Sequence, residues 1–136
     1  MSQKRLLQIA VALAGLVPVT AGAAGAFWPE SFFFAHRPSA LTHGAYLSGL
    51  LLGIGLAFWS LVPTIARQSR AFTLLTAIVF LGGLARLLLA ARLGAWGPSV
   101  TLPLVMELGV TPALCFWQHR VARSSLSGPA FPASEA

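Results

Sequence analysis

Two ionisable residues stand alone in long apolar stretches of this chain. Arg86 is the one charged residue in "FLGGLARLLLA" (80–90), and Glu107 is the one in "LPLVMELGV" (102–110). A charge inside an apolar run is expensive without a partner, so such residues are functional candidates by default. Glu107 could serve as a general acid or base in a dry site, or as the ionisable group of a proton-coupled carrier. Alternatively, the two charges could pair and fix the register of neighbouring helices. One acid and one base are too few for a proton relay across a membrane, which weakens the case for a pump.

Other chemistries find little support. A haem held by two histidines needs both at one depth, whereas His43 and His119 fall at opposite ends of their spans, roughly 30 Å apart. His36 and His43 could approach each other near Glu30, but no ligand spacing defines a metal site there. The sequence has no P-loop, GxSxG or HExxH, and its single Cys115 rules out CxxC chemistry and a disulfide framework. The expectation is therefore no catalytic residue, no metal and no cofactor.

The elements that must position Arg86 and Glu107 follow from composition. The chain has 136 residues, 57% of them hydrophobic and 9% charged, with a mean hydropathy of +0.79. Soluble domains carry about 25% charged residues, so this deficit points to a membrane protein. Four apolar stretches approach the roughly 20 residues needed to cross a hydrocarbon core: 6–27, 43–65, 71–91 and 98–118. They lack the alternation of barrel strands, and helices satisfy their own backbone in lipid. The expected fold is all-α, an integral membrane four-helix bundle over 1–123, followed by a disordered cytoplasmic tail at 124–136.

The net charge of +6 would suggest nucleic acid in a soluble protein. Here Lys4 and Arg5, Arg67 and Arg70, and Arg120 and Arg123 flank apolar runs, as in cytoplasmic loops, so no nucleic-acid partner is expected. All six fall on one side after four crossings, while the other side receives Arg37 and Arg92. Both termini are therefore expected in the cytoplasm of a bacterial cell, with the chain in the inner membrane. Trp28 and Trp96 at one boundary, with Trp59 and Trp117 at the other, fit two aromatic belts. A rival reading treats the first span as a cleavable signal, because "KR", an apolar core and "TAGAAGA" follow in order. Its apolar stretch is longer than a typical signal core, which favours retention. Phe32, Phe33 and Phe34 in the connector suit an interface, and Pro29 and Pro38 interrupt any continuous helix there.

Depth makes an Arg86–Glu107 ion pair natural. Arg86 lies about 22 Å along the third span, about 8 Å from its outer end, and Glu107 about 13 Å down the fourth. An extended Arg side chain covers much of the remaining 6 Å or so. The third span can insert with one central Arg, since its aliphatic residues offer roughly −3 to −7 kcal/mol against about +3. The fourth, with Glu107, Pro103 and Pro112, gains most from a partner. Gly82 and Gly83 precede Arg86 on one helical stripe and are expected to admit a neighbouring helix. Gly49, Gly53 and Ala57 form a second small-residue stripe, flanked by Tyr46 and Ser60. That stripe is expected to pack within the bundle, with dimerisation of two chains as the alternative.

Four stretches also carry a resemblance: "LLQIAVALAGLVPVTAG", "YLSGLLLGIGLAFW", "VFLGGLARLLL" and "ELGVTPALCFWQHRVAR". With them the chain resembles small bacterial membrane proteins catalogued as domain of unknown function 4345, over about residues 5–123. The Gly-Gly-x-x-Arg motif ending at Arg86, with an acidic residue in the last span, is its most specific part. Members of that family typically have an Arg before the aromatic that opens the second span, where this chain has Ala45. The resemblance implies four spans and an intact first helix, and implies no activity. A more distant likeness to DoxX-like four-helix proteins is fold-level only. The leading expectation is a non-enzymatic membrane protein, an accessory subunit or a binder of a lipid-like molecule, with a membrane protein partner or a second copy left open. A carrier using Glu107 and a quinone-linked redox subunit are the alternatives.

Overall fold

A computed structural model of the chain describes residues 2–29 and 37–126. The expectations for Glu30, Phe32, Phe33, Phe34 and His36 lie outside these residues, as does the tail beyond 126. Helix α1 spans Gln3–Phe27, α2 Pro38–Leu61 and α3 Ser69–Leu93. Then come α4 (Pro98–Val105), a π-helical turn (Met106–Val110) and α5 (Thr111–Leu126), which run on as one rod. The four rods are each long and apolar enough to cross a membrane. No strand occurs among the described residues.

Local chemistry sets the boundaries. Ser2 caps α1 by accepting the Arg5 N–H at 3.4 Å. Pro38 and Pro98 sit in the first turns of α2 and α4, where a missing N–H costs nothing. The apolar run of the second span covers 43–65, but the helix is displaced from it. It starts at Pro38 and stops at Leu61, because Pro63 lacks an N–H and its ring would meet the Trp59 carbonyl. Gly94 closes α3 in the left-handed conformation at φ 63°, which glycine adopts without penalty. At the far end, α5 continues to Leu126, into the segment expected as tail.

The closest helix pair is α1 with α2. A Cβ on Gly22 would stand 2.5 Å from the Leu52 backbone nitrogen, so the two backbones touch there. Gly55 is met by Val19 and Pro18, and Gly15 by the Trp59 ring. Trp59 Nε1 donates to the Ala12 carbonyl at 3.0 Å and Gln8 Nε2 to the Val62 carbonyl at 2.8 Å, crossing between the helices. The stripe expected to pack here is corrected: Gly49 and Gly53 have nothing within 4 Å. Gly44, Ser48 and Gly55, on a different face of the same helix, are buried instead. A span that is apolar all round has no polar side to turn away from its neighbours, so close approach decides which face packs.

The main apolar cluster lies at the end of the bundle that carries both termini. Leu7 and Val11, Phe58, Leu61 and Ile65, Phe72, Cys115 and Val121 make one cluster from all four rods. Phe58 and Phe72 meet edge to face at 5.2 Å. Trp117 Nε1 reaches Gln3 Oε1 at 3.3 Å, tying the end of the chain to its beginning. Toward the other end, the buried positions are mostly small: Gly22, Gly25, Gly44, Gly83 and Ala90. Leu13, Leu56, Leu74, Leu81, Leu88 and Leu102 point outward, an apolar surface suited to acyl chains.

Candidate intramembrane site

Arg86 and Glu107 come together. Arg86 Nε donates to Glu107 Oε2 at 3.1 Å and Nη2 to Oε1 at 3.0 Å, a two-pronged pair. Such geometry uses both carboxylate oxygens and fixes the plane of the guanidinium. Behind it, Gly83 admits the partner helix: a Cβ there would lie 2.8 Å from Glu107 Cβ and from Leu108 Cδ2. Gly82, expected to share that contact, has nothing within 4 Å, and this expectation is corrected. It sits one step round the helix from the seam.

The pair is lopsided. The Glu107 side chain is 16% exposed and that of Arg86 42%. The buried positions of α3 are Phe72, Thr76, Gly83 and Ala90, and Arg86, three residues on from Gly83, stands at the edge of that face. It lies beyond the core, where the carboxylate is enclosed and the guanidinium is not. Two of its five N–H donors serve Glu107. The other three have no partner among the described residues, and Arg86 lies about 10 Å along α3 from its end at Leu93.

Glu107 sits on the π turn, a feature that sequence reasoning missed. Pro112 has no N–H and its ring would collide with the carbonyl of Leu108 in an α-helix. The chain widens by one residue instead: Thr111 N–H and Thr111 Oγ1 both go to the Met106 carbonyl, the latter at 2.8 Å. Pro103, one turn earlier, likewise supplies no N–H. The two prolines around an acidic residue were the available signal. Single π turns inside helices cluster at functional sites, where they re-aim a side chain.

Below the pair, α3 and α5 share polar groups that sequence reasoning also passed over. Thr73 Oγ1 lies 3.0 Å from His119 Nε2 and 3.8 Å from Cys115 Sγ. Gln118 is fully buried, and its Nε2 donates to the Ile65 carbonyl at 2.6 Å and to Ser69 Oγ at 2.8 Å. Two buried polar atoms here have no hydrogen-bond partner, Gln118 Oε1 and Thr76 Oγ1. His43 is exposed at the other end of the bundle, on α2, and shares nothing with His119. Among the described residues, no three His, Cys, Asp or Glu side chains gather as a metal site would require.

A comparison with protein families matches residues 6–118 to the model described as Domain of unknown function (DUF4345). No curated protein and no solved structure matches the chain.

Proposed function

The chain belongs to the DUF4345 family, and on that premise we propose that it is a non-catalytic membrane protein that holds the anionic head of a lipid-like molecule at Arg86. One observation carries this reading, the unequal exposure of the ion pair, 42% against 16%. In lipid, guanidinium donors without an acceptor are costly. A phosphate or carboxylate at the end of an acyl chain supplies one and leaves its chain along the outward leucines. Glu107 then acts as the orienting partner, locking the guanidinium so that its remaining donors face the ligand. Arg86 lies within reach of headgroup depth, since its stem can extend toward the interface.

The same proposal takes the termini as cytoplasmic and the membrane as the bacterial inner one, on the distribution of Lys4, Arg5, Arg67, Arg70, Arg120 and Arg123. The protein then presents Arg86 to the outer leaflet.

The test is native mass spectrometry of protein released from nanodiscs containing phosphatidylglycerol and phosphatidylcholine. The wild type should retain phosphatidylglycerol and Arg86→Leu should not. Equal retention by both would remove Arg86 from the role.

A further inference from the structure

The seam between α3 and α5 carries a ladder of polar groups from the termini end up to the ion pair. Gln118 and Ser69 form its floor, linked at 2.8 Å. Thr73 and Cys115 face each other one turn higher at 3.8 Å. Thr76 on α3 stands about 4.5 Å above Thr73, and Thr111 about 6 Å above Cys115, so the two hydroxyls share a level. Another turn brings Glu107, whose Cβ faces Gly83 across the same seam. No step of the ladder exceeds about one helical turn.

Two of these groups are buried and unfulfilled. Thr76 is 8% exposed and its Oγ1 has no hydrogen-bond partner; Gln118 is fully enclosed and its Oε1 has none. Buried polar atoms in native structures are nearly always paired, with protein or with ordered water. A hydroxyl inside a helix usually satisfies itself on a carbonyl of the preceding turn, as Thr73 does on Ser69 at 2.8 Å. Thr76 does not, and it sits in the seam. The Gln118 Nε2 ties Ile65 to Ser69, but its Oε1 and the Thr76 hydroxyl have no such use in a dry seam, where an unmade hydrogen bond is costly.

From these observations we infer that the α3–α5 seam is a hydrated path through which water and protons reach the Glu107 carboxylate, entered at the termini end beside the core, where Ser69 is half-buried and Thr73 exposed. Thr76 and Gln118 hold water in it, and Thr111 hands the path on to the π turn. Arg86, across the seam, is the charged group that faces Glu107; His119 and Cys115 are the titratable groups lower down. The path stops at the pair, so it gives access from one side only. It is independent of any lipid held at Arg86: failure of the nanodisc experiment leaves it standing, and its own failure leaves that reading untouched.

Thiol hydrogens report it directly. The chain has one cysteine, Cys115, and its S–H stretch lies in an empty region of the infrared spectrum. Protein in lipid is transferred to D2O and the loss of that band is timed, first for wild type. A second reporter, Thr111→Cys in a Cys115→Ser background, reads the level above. Both thiols should exchange quickly compared with the amides of the spans. Thr76→Val should slow exchange at Thr111→Cys by about tenfold or more, while Cys115, below the block, exchanges as before and the span amides keep their protection, which shows that the variant is folded. Fast exchange at Cys115 with a protected Thr111→Cys thiol would reduce the path to isolated waters at the floor and overturn the inference. Exchange at Thr111→Cys that ignores Thr76→Val would place the entrance elsewhere and overturn it too.

Discussion

The two hairpins of this bundle solve the same problem in opposite ways. In the first, α1 and α2 meet through notches: Gly22 lies on the Leu52 backbone, Gly55 on Val19 and Gly15 on Trp59. Lipid offers no hydrophobic force between helices, so close backbone contact and interhelical hydrogen bonds must hold them. In the second, α3 meets the α4–α5 rod through Arg86 and Glu107, a π turn and a row of hydroxyls. A pair held by backbone contact leaves no room for chemistry. One held by polar groups keeps its donors, its widened turn and its unfulfilled atoms. On the proposed reading the first hairpin is scaffold and the binding site belongs to the second.

The largest effect that would break this contrast is in the scaffold. Gly22→Val would put a branched side chain where even a Cβ stands 2.5 Å from the Leu52 nitrogen and 2.8 Å from the Ser48 carbonyl oxygen. Backbone cannot yield as a flexible side chain does, so the cost should be about 3 kcal/mol or more. Unfolding in mixed micelles, followed by circular dichroism, should show the variant lost at much lower denaturing detergent than the wild type. A mild effect would mean that the first hairpin is looser than its glycines suggest.

Next comes the charge pair. Glu107→Leu strands the Arg86 guanidinium, but Arg86 is 42% exposed, so the loss should fall below the 3–5 kcal/mol of a fully buried pair, at about 1–2 kcal/mol. Arg86→Leu should cost more, toward that upper range, because the carboxylate it orphans is only 16% exposed. The double substitution should recover most of the loss, because two apolar side chains suit lipid at least as well. Such recovery, measured as a double-mutant cycle, would mean that the fold does not need the charges and that function retains them. A double variant as damaged as either single one would make the pair architecture, and the contrast between the hairpins would shrink to two styles of packing.

Much of this is legible in the residues. The four apolar runs locate the rods, and depth counting brings Arg86 and Glu107 within reach of each other. Rotation is not legible. Gly49, Gly53 and Ala57 follow a small-residue spacing much like that of Gly44, Ser48 and Gly55, and α2 is apolar on every side, so nothing in its pattern says which stripe touches α1. The π turn escapes because a proline in a span reads as a burden on insertion and not as the cause of a widened turn. Gln8 and Gln118 escape because a lone polar residue near the end of a span needs no partner to be tolerated, whereas here each reaches a carbonyl of the turn that follows α2.

A smaller effect tests the hydrogen bond in the first hairpin. Trp59→Phe keeps a ring against Gly15 but removes the Nε1 donor to Ala12, and should cost about 1 kcal/mol in the same unfolding assay. No change would assign the pairing of α1 with α2 to shape alone and sharpen the distinction from the polar seam.

The smallest effect probes the face that the scaffold leaves bare. Gly49 and Gly53 meet nothing within 4 Å, so Gly53→Ala adds a methyl group without a collision. Within one chain it should stabilise α2 slightly, by roughly 0.5–1 kcal/mol, since alanine favours a helix over glycine. The sign of the change is therefore informative. A gain in unfolding stability, with sedimentation in detergent unchanged, fits an α2 face that meets only lipid. A loss, accompanied by a smaller sedimenting species, requires a second helix seated on that face. The small-residue stripe would then join copies of the chain, and the first hairpin would be scaffold for an assembly as well as for the site on its neighbour.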